Sequence, residues 1–170
     1  MRERSSAERG WLFPLIMAII VGLIGLWLTG LGAYLASLGG SLYYVLAGLG
    51  LLGTAILLFR RNAAALVVYA VVLAGTLIWA IAEVGLDFWQ LSPRGNLLMP
   101  IAVVLLLPWL TRALRPATSA IRGAGLALSA ALACSVIVLV AALFQNPHDQ
   151  QGELPGVRAT GVTYAAAPGD

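Results

Sequence analysis

From Trp11 to Ala33 the chain carries no charged side chain. A run of that length limits the fold severely, because about 20 apolar residues in a helix span the roughly 30 Å hydrocarbon core of a bilayer. Four more apolar runs follow. Leu42 to Phe59 stops at Arg60 and Arg61, and Ala63 to Ala82 stops at Glu83. Leu97 to Leu110 is shorter and contains Pro100 and Pro108, and Gly123 to Phe144 precedes a polar tail. The runs do not alternate apolar with polar, as barrel strands do. Open strands would leave unpaired backbone groups in lipid, so these segments are expected to be helices. The first run exceeds the apolar core of a signal peptide and lacks a small-residue cleavage site, so it reads as a retained helix. The expected fold is an all-α integral membrane bundle of five transmembrane helices. Residues 1–10 form an N-terminal tail, 11–145 the membrane domain and 146–170 a linker.

Composition excludes the alternatives. Of 170 residues, 61% are hydrophobic and 10% charged, against about 25% charged in soluble domains. One cysteine and one histidine cannot build a disulfide scaffold or fill a zinc shell. All ten basic residues are arginine and they are scattered between apolar runs, which argues against a nucleic-acid face.

The arginines orient the bundle instead. With five spans, Arg2, Arg4, Arg9, Arg60, Arg61, Arg112, Arg115 and Arg122 share one face, with Glu3 and Glu8. The opposite face holds Arg94 and Arg158 with Glu83, Asp87, Asp149, Glu153 and Asp170. This bias places the N-terminus in the cytoplasm and the C-terminus outside, in the periplasm of a Gram-negative bacterium.

No span has a charge near its centre, which argues against pumps, ion channels and carriers of charged substrates. The single His148 lies in the tail, so no hydrolase constellation or haem-ligating pair exists within the membrane, and no glycine-rich phosphate loop is present. Small residues four apart, Ala18/Gly22, Ala70/Ala74 and Ala127/Ala131, suit close helix packing. Cys134 reads as one more small packing residue.

Polar interest gathers on the outer face. Glu83 and Asp87 are four apart, and if the third helix continues they share one side of it. Arg94 can reach back to them, and Trp79 and Trp89 bracket them at interface depth. On the same face, Gly39–Gly40 permits a tight turn, Ser41 can cap the second helix, and Tyr43 and Tyr44 follow. An aromatic belt at a helix end explains such residues structurally. A lipophilic-ligand site also fits, since interfacial carboxylates can relay protons and aromatic walls can hold a quinone ring.

Gly39-Gly40-Ser41-Leu42-Tyr43-Tyr44 with Ala47-Gly48, the run from Trp79 through Glu83-Val84-Gly85-Leu86-Asp87-Phe88-Trp89 to Pro93-Arg94, Arg61 through Tyr69, Leu73 to Thr76, and the tail from Asn146 to Gly156 resemble membrane-bound PQQ-dependent quinoprotein dehydrogenases of the glucose and quinate type. The similarity covers roughly residues 10–156. It implies a five-helix anchor in the bacterial inner membrane. It also implies a periplasmic propeller, in cis or in trans, that holds PQQ and a divalent metal, oxidises a sugar or polyol, and passes electrons to ubiquinone. No active site is expected in this segment itself, which reads as a fragment or a separate anchoring subunit. Its expected role is to anchor the dehydrogenase and contribute to ubiquinone access, with Glu83, Asp87, Trp89, Arg94, Tyr43 and Tyr44 in the quinone vicinity. The alternatives are an inert anchor and a non-redox accessory membrane protein.

Overall fold

The computed structural model describes the backbone of residues 2–86, 88–114 and 118–144, and the side chains of 12–83, 85–86, 97–114 and 121–144. The described residues form helices α1 (Arg2–Ser37), α2 (Tyr43–Phe59), α3 (Ala64–Val84), α4 (Phe88–Leu106), α5 (Pro108–Thr111) and α6 (Thr118–Phe144). Three segments are long and apolar enough to cross a membrane: Leu12–Ser37, Ala64–Glu83 and Ile121–Phe144. Tyr43–Phe59 and Leu97–Leu106 are shorter apolar helices.

Helix α3 is the hub, packed against α2, α4 and α6, while α1 lies against α2 and, more lightly, α5. The core joins Val21, Leu51, Leu58, Leu66, Tyr69, Leu105 and Leu128. Outside it the surface is also apolar, with Leu23, Trp27, Ile78, Leu126 and Phe144 among many large exposed side chains. Such a surface would drive aggregation in water and is what lipid requires.

Glycine sets the α1–α2 contact. A Cβ on Gly32 would stand 2.7 Å from the Val45 nitrogen, and one on Gly48 would stand 2.6 Å from the Thr29 nitrogen. The two backbones therefore touch, which suits association in lipid, where apolar burial gives no reward. Of the small pairs read from the sequence, Ala18 and Ala70 are buried and Gly22 faces Ala55. Ala127 is exposed, so the Ala127/Ala131 pair does not form a packing ridge. Cys134 is exposed too, contrary to its reading as a packing residue. Helix α6 turns Ala124, Leu128, Ser135 and Ala142 inward, and Cys134 falls one helical step, about 100°, from that stripe.

The helix ends follow local chemistry. After α1, Gly40 N–H donates to Leu35 O at 2.9 Å and Gly39 N–H to Ala36 O at 3.1 Å, with Gly39 at φ +83°. This is a Schellman stop, and glycine enters its left-handed position without a Cβ clash. Ser41 Oγ then accepts the Tyr43 N–H at 3.3 Å, but the N-cap of α2 is Leu42, so Ser41 stands one residue ahead of the capping position expected for it. The turn after α2 repeats the pattern with an arginine. Arg61 N–H donates to Leu58 O and Asn62 N–H to Leu57 O, at 2.9 and 2.8 Å, with Arg61 at φ +56°. The fourth apolar run is broken rather than continuous. Leu107 is extended at ψ 140°, because the ring of Pro108 disfavours helical backbone in the residue before it.

Contacts fix which helix ends lie together. Phe13 meets Trp109 edge to face, with centroids 5.4 Å apart, and Arg61 Nε donates to Ala113 O at 2.8 Å. The start of α1, the α2–α3 turn and the end of α5 thus share one end of the bundle. The start of α2 and the end of α3 share the other, through Tyr43 and Trp79.

Candidate ligand cleft

A cleft of about 300 Å³ opens between α2 and α3, near the end of the bundle that carries Glu83. Helix α2 contributes Tyr43, Leu46, Ala47 and Gly50, and α3 contributes Val68, Val71, Val72, Gly75, Thr76 and Trp79. The spacings of three and four place each set along one side of its helix. Gly50 deepens the cleft, since a Cβ there would collide with Val72 Cγ2. Gly75 borders open space, with nothing within 4 Å of where its Cβ would stand.

The walls are almost wholly apolar and the polarity is concentrated at one point. The Tyr43 hydroxyl donates to Thr76 Oγ1 at 2.7 Å, and Thr76 Oγ1 donates to Val72 O at 2.7 Å. Thr76 is itself buried. Trp79 stacks on the Tyr43 ring, with centroids 5.9 Å apart and planes at 28°. Tyr44 packs edge-on behind Tyr43 at 5.2 Å. The arrangement can hold a flat, lipophilic ring and offer it one polar contact. Its volume lies at the lower end of the range for small-molecule pockets, about 300–1,000 Å³.

Of the residues expected near a ligand, Tyr43 lines this cleft and Tyr44 supports it from behind. Glu83 lies one turn beyond Trp79 on α3, with its side chain exposed. Asp87 lies outside the described residues, as do the side chains of Trp89 and Arg94 and the residue His148. The expectation for Glu83 and Asp87 is conditional on the third helix continuing, and that helix does not continue. Helix α3 ends at Val84, and Gly85 at φ +67° and ψ −145° turns the chain before α4 begins at Phe88. This backbone conformation is open to glycine and costly for any residue with a Cβ, and it ends α3 two residues after Glu83. The stretch that reads as one helix end is therefore the end of α3 and the start of α4.

Sequence reasoning left Thr76 and Gly75 out of the site. Their signal was a hydroxyl and a missing side chain at helical spacing from Val72 and Trp79, across from Tyr43. Among the described residues no three His, Cys, Asp or Glu side chains gather in a way that could hold a metal ion.

No protein-family model matches the chain, and no solved structure matches it. Curated relatives do. Quinoprotein glucose dehydrogenase of Gluconobacter oxydans is 44% identical over 151 residues, covering 89% of this chain and 18% of that protein. Quinate/shikimate dehydrogenase (quinone) of Acinetobacter baylyi is 37% identical over 102 residues, covering 58% of this chain and 12% of that protein. The glycerol dehydrogenase small subunit of Gluconobacter oxydans is 36% identical over 104 residues, covering 60% of this chain and 82% of that subunit. The chain thus spans less than a fifth of the length of the larger relatives and most of the small subunit. On these matches and on its apolar helical bundle, the chain belongs to the family formed by the N-terminal membrane region of quinoprotein glucose and quinate dehydrogenases, together with the glycerol dehydrogenase small subunit.

Proposed function

We propose that the chain anchors a PQQ-dependent sugar or polyol dehydrogenase in the bacterial inner membrane and gives ubiquinone a binding place near the periplasmic surface. In this reading α1, α2, α3, α4 with α5, and α6 are five membrane spans. The arginine-rich end faces the cytoplasm and the Glu83 end the periplasm, as the positive-inside rule requires. Residues 146–170 lead to the catalytic domain, whether joined to this chain or supplied by another. In this reading PQQ and its divalent metal belong to that domain.

The observation that carries the quinone reading is the α2–α3 cleft itself. It is apolar, it opens between lipid-facing helices, and its one polar point is a tyrosine–threonine pair beside a stacked tryptophan. A quinone ring is flat, lipophilic and polar only at its oxygens, so it matches such a lining. Its reduction takes two electrons and two protons. In this reading the electrons come from the substrate oxidised by the catalytic domain, and Glu83, at the exposed end of α3, can relay a proton. Asp87, Trp89 and Arg94 follow Glu83 in sequence and complete the proposed vicinity.

The test uses the assembled dehydrogenase and a photoreactive ubiquinone analogue. Labelling is expected on α2 and α3, and Gly75→Leu, which adds bulk to the cleft lining at a position where a Cβ meets nothing within 4 Å, is expected to abolish it. Label confined to the catalytic domain, unchanged by Gly75→Leu, would leave the chain an inert anchor.

A further inference from the structure

The turns after α1 and α2 differ at one position. Gly39 takes the left-handed place in the first and Arg61 takes it in the second. Glycine enters that place without strain, so an arginine there adds a guanidinium at the cost of a disfavoured backbone. That guanidinium has five N–H donors. Its Nε donates to Ala113 O at 2.8 Å, and among the described residues nothing meets Nη1 or Nη2. The bond restrains the plane of the group. It leaves the end-on pair of nitrogens as a fork that matches two oxygens of a phosphate.

The surroundings are cationic. Arg60 precedes Arg61, Arg112 precedes the acceptor Ala113, and both are exposed. Among the described side chains the one carboxylate is Glu83, at the opposite end of the bundle. Apolar surface starts beside the arginines. Phe59, just before Arg60, and Trp109, about one turn before Arg112, are both exposed. A tryptophan in such a place suits headgroup depth in a bilayer. We infer that the α2–α3 turn and the end of α5 bind the headgroup of an anionic phospholipid, with its phosphate on the Arg61 fork and its acyl chains along Phe59 and Trp109. The inference rests on the membrane placement of the bundle and is separate from the quinone reading. A phosphatidylcholine carries the same phosphate but brings a trimethylammonium cation, which Arg60 and Arg112 repel. A lipid with net negative charge has no such cost, and it adds a second tie between the two segments beside the Arg61 bond.

The test immobilises the full chain in mixed micelles of equal phosphatidylglycerol and phosphatidylcholine, then extracts and quantifies the lipid it retains. The wild-type chain is expected to prefer phosphatidylglycerol at least about tenfold, since each arginine near an anionic headgroup contributes about fivefold. Arg61→Gly removes the fork and the strain together and is expected to lower that preference at least about fivefold. Arg122→Gln removes an equal charge from α6, where the arginine is exposed but neither donates to the turn nor adjoins its acceptor. It is expected to leave the preference in place. Equal retention of the two lipids by the wild-type chain overturns the site, and so does an equal fall in both variants, which diffuse charge alone explains. Phosphatidylglycerol is expected to be retained equally in chloride and in phosphate of the same ionic strength. Its displacement by phosphate makes the turn a free-anion site and overturns the lipid assignment. Should the glycine variant not assemble, Arg60→Gln with Arg112→Gln, at two exposed positions, is expected to show the same loss.

Discussion

Arg61 holds a left-handed backbone at φ +56° while its Nε donates to the carbonyl oxygen of Ala113, 52 residues away, at 2.8 Å. A side chain with a Cβ is disfavoured in that conformation by roughly 1–2 kcal/mol. A hydrogen bond from a charged group contributes about 1.5–3 kcal/mol, so the contact offsets the strain. Arg61→Gly removes strain and bond together and is expected to change stability by less than about 1 kcal/mol. Arg61→Ala keeps the strain and loses the bond, so it is expected to cost about 1.5–3 kcal/mol. Unfolding titrations of the two variants in mixed micelles give the order, and an alanine variant as stable as the glycine variant contradicts the account.

The α1–α2 contact predicts a contrast between glycines on one helix. Gly32→Ala places a Cβ 2.7 Å from the Val45 nitrogen, where only backbone can yield. It is expected to push α1 from α2 and to cost at least about 1–3 kcal/mol, as overpacking does. Gly30→Ala meets nothing within 4 Å and improves helix propensity, so it is expected to be neutral or stabilising by up to about 1 kcal/mol. Thermal unfolding of both proteins in the same detergent checks the difference.

Tyr69 is fully buried on α3 and donates to Leu98 O of α4 at 2.8 Å. Tyr69→Phe retains the ring and loses one interhelical hydrogen bond. Bonds of this kind between membrane helices contribute about 0.6 kcal/mol on average, with a maximum near 1.7. The loss is expected within that range, with assembly intact. Tyr69→Ala, which also empties the core, is expected to cost about 3–5 kcal/mol. The gap between the two variants in a denaturation series separates the bond from the packing.

Cys134 and Leu128 lie on opposite terms with the core. Cys134→Ala at its exposed position is expected to stay within about 0.5 kcal/mol of wild type. Leu128→Ala, at a position with no exposed surface, is expected to cost about 2–5 kcal/mol. Unfolding titrations of both variants in the same detergent check the contrast, and a Cys134→Ala loss above about 1 kcal/mol would restore Cys134 to the interior.

The membrane class and the positions of the helices could be read from uncharged run length, because lipid forces long apolar segments into helices. The breaks were harder. Gly85 ends α3 and Leu107 interrupts the fourth run, and both depend on single backbone conformations that a hydropathy pattern averages away. Tyr43 was legible as an interfacial aromatic. Thr76 was not, since its importance comes from Tyr43, 33 residues earlier, and only the packing of α2 on α3 joins them. Cys134 was misread for a related reason: size says a residue can pack closely, and only helix rotation says whether it does.

The placement of α3 sets an order of assembly during synthesis. Helices α1 and α2 meet through a short glycine turn and their own backbones, so the hairpin can close as soon as both have left the ribosome. Helix α3 finds α2 already made, but its other partners, α4 and α6, have yet to emerge. The cleft between α2 and α3 therefore takes shape while two sides of α3 still face lipid, and α6 arrives last to close them.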